Sequence, residues 1–180
     1  MDFRTVTLAL AAALAAAGAP ASADEKATPA TPQSFETLKK LAGDWVEIGK
    51  DGKPTDQVVS SIRVTAAGTA IQETLFPGTE HEMVTMYHQD GADLVLTHYC
   101  MLGNQPRMRA EPGTDANRIV FKFIGATNLK SDDEQHMHQA TLTIEDKDHF
   151  KSEWVSCKDG KPCHEVSFNL VRKQEKAQAN

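Results

Sequence analysis

The chain has 180 residues, with 19 Lys and Arg against 25 Asp and Glu, for a formal charge of −6 with His neutral. An acidic balance with no basic block argues against nucleic acid or an anionic membrane as partner. No apolar run beyond the N-terminus approaches the roughly 18 residues that a membrane span needs.

The first segment reads as an export signal. Arg4 precedes an apolar, Ala-rich run from Val6 to Ala19, and Pro20-Ala21-Ser22-Ala23 supplies a small-residue cleavage site. Residues 1–23 are therefore expected to be a signal peptide, which places the mature protein in the periplasm or outside the cell. Cleavage removes one acid and one base, so the charge stays at −6. What remains is one domain's length, expected as a monomer or homodimer.

Residues 24–33, polar with two prolines, read as a flexible linker. Ser34 then suits the start of a short helix with Phe35, Leu38, Leu41 and Ala42 on one face, stopped by Gly43. From residue 44 the pattern changes to period 2, broken by turn residues about every ten positions. The expected strands are Asp44–Gly49, Gln57–Thr65, Thr69–Phe76, Glu80–His88, Ala92–Met101, Pro106–Ala110, Arg118–Gly125, His136–Glu145, His149–Cys157 and Cys163–Arg172. Ten short antiparallel strands exclude a parallel α/β sheet and favour a sandwich or a barrel. A closed up-and-down barrel over residues 34–173 is the expected fold, because closure leaves no edge strand open. Residues 174–180 form a polar tail.

Gly43-Asp44-Trp45 opens the first strand after a short helix, and Arg172 closes the last. This resembles the calycin pattern of lipocalins and their relatives, which implies a tryptophan packed under an arginine from the final strand at a plugged barrel end. A guanidinium over an indole is a favourable cation–π pair. The count of ten strands is similar to the fatty-acid-binding and nitrobindin-like branches. Trp45 is followed by Val-Glu-Ile-Gly rather than a glycine-repeated strand, so haem is not expected. The segments Thr97-His98-Tyr99-Cys100 and Asn104-Gln105-Pro106-Arg107-Met108 resemble those of bacterial exported proteins of unassigned function.

Hairpin register then suggests which side chains meet. A three-residue loop Gln89-Asp90-Gly91 pairs Glu82 with His98, Val84 with Leu96 and Met86 with Leu94, all on one inner face. The next hairpin places Glu73 beside Glu82. A five-residue loop from Lys158 to Pro162 opposes Ser156 to His164 and Cys157 to Cys163, and His138 falls opposite Ser156. Strand direction then gathers Glu73, Glu82, His98, Cys100, His136, His138 and His164 at the end away from Trp45 and Arg172. One end is plugged and the other is polar and histidine-rich.

Three functions suit that end. A carrier would orient a small amphipathic ligand with these residues and Trp154, over a cavity lined by the inward apolar side chains. A metal enzyme would use His136-x-His138, about 6.6 Å apart in Cα, with His98 as third ligand to zinc or another divalent transition metal. Glu82 would serve as fourth ligand or base. A structural envelope protein would fill the barrel solidly. Export also makes a Cys157–Cys163 hairpin disulfide the expectation, leaving Cys100 unpaired.

Overall fold

The computed structural model describes residues 32–113 and 117–174. The expected signal peptide, residues 24–31 of the linker and residues 175–180 of the tail lie outside the described residues. The helix α1 spans Pro32–Lys39, so it begins two residues before the expected Ser34. The strands are β1 (Gly43–Ile48), β2 (Pro54–Thr65), β3 (Ala70–Leu75), β4 (Met83–Asp90), β5 (Asp93–Tyr99), β6 (Gln105–Ala110), β7 (Arg118–Thr127), β8 (His136–Ile144), β9 (His149–Lys158) and β10 (Lys161–Arg172). Each strand pairs antiparallel with its chain neighbours, and β1 also pairs with β10, closing the barrel. All ten strands fall where the alternation places them.

The closed end is built by a single clasp. Phe35, Leu38 and Leu41 of the helix segment are buried, which seats that segment in the barrel mouth. The carbonyls of the turn that follows the helix need donors of their own. The Trp45 indole N–H donates to the Leu41 carbonyl at 2.8 Å, and Arg172 donates to the carbonyls of Ala42 at 2.7 Å and Lys40 at 3.1 Å. The guanidinium lies 4.3 Å from the centroid of the fully buried Trp45 ring. It also reaches the Lys147 carbonyl and the Asp148 carboxylate. Gly43 is required here twice over. Its φ of +135° disfavours any side chain, and a Cβ would sit 2.7 Å from an Arg172 nitrogen.

The interior above the clasp is filled. Trp45 meets Phe150 edge-on at 4.6 Å, and Ile71, Leu94, Leu96, Met108, Phe121 and Leu170 are all under 2 % exposed. A cavity of about 10 Å³ lies beneath the helix, lined by Leu38, Leu41, Glu73 and Tyr87 among others. That is room for about one water.

The clasp yields a direct expectation. In Arg172→Lys the planar fork is lost, and a single ammonium cannot reach all of these oxygens. Urea unfolding at pH 7 should show a loss of about 2–3 kcal/mol, the scale of one or two charge-assisted hydrogen bonds. A variant as stable as the parent would deny the clasp that role.

Candidate functional site

The interior also carries polar side chains, and Glu73, expected at the far end, instead lines the cavity beneath the helix. Ser60, Glu73, Thr85, His98, Asn104, Ser152 and Ser156 are all buried. Phe76 and Phe168, in edge-on contact at 5.6 Å, together with Met137 and Val166, are half-buried and pack against the apolar core. Buried polar groups are costly unless paired, so their partners define the site.

Most of them are satisfied. Ser60 Oγ and the Tyr87 hydroxyl each donate to the Glu73 carboxylate at 2.6 Å. Burial pushes the Glu73 pKa up, against the lowering effect of these two donors. The Tyr87 hydroxyl is driven well above its ordinary range by burial and by the Glu73 charge. The Trp154 indole donates to Ser152 Oγ at 3.0 Å, and the Gln135 amide to Ser156 Oγ at 3.3 Å.

Two atoms are not. His98, 1 % exposed, has its Nδ1 2.9 Å from Thr85 Oγ1, and its ring lies 4.8 Å from that of Trp154. Its Nε2 has no partner. Asn104 donates through Nδ2 to the Gln135 carbonyl at 2.9 Å, while its Oδ1 is buried and unpaired. Burial lowers the His98 pKa from 6.5 to about 4, so the ring is neutral at pH 7.

The structure corrects the expected pairing of β4. Asp90 pairs with Asp93 across a two-residue turn, Gly91-Ala92, with Gly91 at φ +62°. Glycine in the first turn position suits this tight hairpin better than a three-residue loop. The three-residue slip flips the strand, so Thr85 and Tyr87 point inward rather than Val84 and Met86. Glu73 consequently faces Thr85. Glu82 is exposed at the rim, where its carboxylate accepts from the Gly78 N–H at 2.6 Å. It faces neither His98 nor Glu73.

The three expected histidine ligands are not brought together. A bulge at His138 puts Met137, not His138, opposite Ser156, and sets His136 opposite Cys157, both of them buried. His136 Nδ1 donates to the Glu134 carbonyl at 2.8 Å, so its Nε2 accepts from His138 Nδ1 at 3.1 Å. Both imidazoles lie against Phe123, at 4.6 and 4.7 Å. Burial, then the neighbouring His136 and Lys122, lowers the His138 pKa. His98 is buried against Thr85 and Trp154 instead. Among the described residues no group of three or more His, Cys, Asp or Glu side chains is placed to hold a metal ion.

The remaining expected residues divide. Trp154 is inside, against His98. His164 does pair with Ser156, but it is exposed at the rim. Cys100 is buried at the end of β5, and burial raises its pKa. Cys157 and Cys163 are free thiols, not a disulfide. The hairpin turns tightly through Asp159 and Gly160, both at positive φ, and a bulge at Cys163 restores the register beyond it. That bulge leaves Pro162, not Cys163, opposite Cys157.

Sequence reasoning missed Ser60, Thr85, Tyr87 and Asn104. The Gly91-Ala92 turn was the signal for Thr85 and Tyr87. No family model matches the chain, and no curated protein matches it.

His98 and Glu73 make opposite pH predictions. The folded His98 pKa lies below its unfolded value, so stability is full above about pH 6.5 and falls as pH drops through about 4. The shift corresponds to about 3 kcal/mol. The folded Glu73 pKa lies above 4.5, so its contribution is lost as pH rises from 4.5 through the raised value. Urea melts across pH should lose the acid slope in His98→Gln and the rising-pH slope in Glu73→Gln. Unchanged slopes would mean that neither group is buried as described.

Proposed function

We propose that the chain is an exported, calycin-like binding protein that holds a small organic ligand inside its barrel, near His98, Thr85, Trp154 and Asn104. The observation that carries this reading is the unpaired Nε2 of a buried His98. Leaving a buried donor or acceptor unmet costs about 1–3 kcal/mol. A barrel that served only as a solid body would have no use for an imidazole there, and an apolar side chain would fill the place at lower cost. The tryptophan beside it supplies an apolar wall, so the group offers a flat surface and directed hydrogen bonds, the usual make-up of a small-molecule site. Entry is over the half-buried Phe76, Phe168, Val166 and Met137, side chains that can turn aside without moving the strands.

A second reading has its own support. The apolar interior is filled down to a cavity of about 10 Å³, which suits a structural envelope protein with a solid core. Native mass spectrometry of untagged protein, purified without chelator or detergent, separates the two. The binding reading expects an organic mass on the native protein. It also expects a small-fragment screen read by Trp154 fluorescence to give hits that weaken at least tenfold in His98→Gln. A bare mass, with no hit in the screen, would overturn it in favour of the solid barrel.

A further inference from the structure

The two unpaired atoms sit on one hairpin. The β5–β6 register pairs Leu96 with Met108, and the Cys100 N–H donates to the Asn104 carbonyl at 3.2 Å, which carries the same register to the hairpin end. Cys100 therefore faces Asn104, and His98 faces Pro106. His98 and Asn104 are diagonal neighbours on the inner face, a spacing long side chains can span. Each is at least nine-tenths buried, and each leaves one polar atom without a partner.

Their chemistry is complementary. Thr85 is fully buried, and its hydroxyl lies 2.9 Å from His98 Nδ1. A buried hydroxyl hydrogen needs an acceptor, so Thr85 O–H donates and Nδ1 accepts. In a neutral imidazole the proton then resides on Nε2. His98 thus presents an N–H donor to the interior. Asn104 commits its amino group to the Gln135 carbonyl and presents Oδ1, an acceptor. No Lys or Arg is among the buried side chains of the described residues, so an anion here would find no counter-charge.

We infer that the site reads a neutral group carrying an acceptor beside a donor, as an amide, a lactam or a protonated carboxylic acid does, through His98 Nε2–H and Asn104 Oδ1. This rests on the binding reading above and names the class of ligand it takes. The ligand carbonyl accepts from His98, the ligand N–H or O–H donates to Asn104, and the apolar remainder lies along Trp154. Thr85 is a positioning residue, holding the imidazole in the tautomer that donates inward.

The test uses the whole protein with imidazole-¹⁵N histidine and two probes of equal size. The probe 2-pyrrolidinone has adjacent carbonyl and N–H groups, while cyclopentanone has the carbonyl alone. The expected result is a saturable shift of the His98 Nε2 resonance with 2-pyrrolidinone, and binding at least tenfold weaker for cyclopentanone, the worth of one lost hydrogen bond. Asn104→Leu should bring the two probes level. Should that variant fold poorly, Thr85→Val serves instead: it frees the tautomer and should weaken 2-pyrrolidinone about tenfold. Equal binding of the probes to the parent would overturn the inference. So would screen hits that leave the His98 resonance unmoved, although the binding reading would then stand. A site that holds only water, with neither probe nor any fragment bound, would overturn both.

Discussion

Everything above the closed end depends on one guanidinium. Arg172, at the end of the last strand, lies over the indole of Trp45 in the first strand and caps the helix that precedes it. The two ends of the described fold are thereby tied to one another, and the helix is fixed in the mouth as a plug. The contact explains why Gly43 and Trp45 come as a pair. The tryptophan supplies the face and one donor, and the glycine supplies a backbone that lets the arginine pass. With that end shut by Phe35, Leu38 and Leu41, any route to the interior lies at the opposite rim.

The division of the interior follows from this closure. Near the clasp the side chains are large and apolar, as a stable small barrel requires. Among them Glu73 and Tyr87 border the small cavity beneath the helix, and serines, a threonine, an asparagine and a histidine are buried elsewhere in the barrel. Such groups subtract from stability unless they are fully met, and here two atoms are left over. The Ser60–Glu73–Tyr87 group shows that the barrel can satisfy a buried carboxylate when it has donors to spend on it. The unmet atoms of His98 and Asn104 are therefore local to one hairpin rather than a sign of a loosely built interior.

Much of the architecture was legible in the sequence, because period-2 alternation and turn residues reflect local geometry. All ten strands and the short leading helix could be read that way, while the Trp45–Arg172 end was expected only from the resemblance to calycins. The inner faces of β3 and β5 followed too, marked by Ile71 and Leu75 and by Leu94 and Leu96. The face of β4 did not. Its Val84 and Met86 are more apolar than Thr85 and Tyr87, yet the tight turn at Gly91 puts the polar pair inside. The bulges at His138 and Cys163 leave no mark on the alternation, and each moves one reactive side chain off its expected rung. The expected Cys157–Cys163 disulfide was lost to the second of these, which leaves Pro162 opposite Cys157.

We propose that the hairpin pair His98 and Asn104 is kept unpaired for a ligand. The most direct measurement is a high-resolution crystal structure of protein taken from its native source without extensive dialysis. The expected result is organic density, larger than a water, within hydrogen-bond distance of both His98 Nε2 and Asn104 Oδ1. A single ordered water at each atom, or rotated side chains that pair the two with each other, would contradict it.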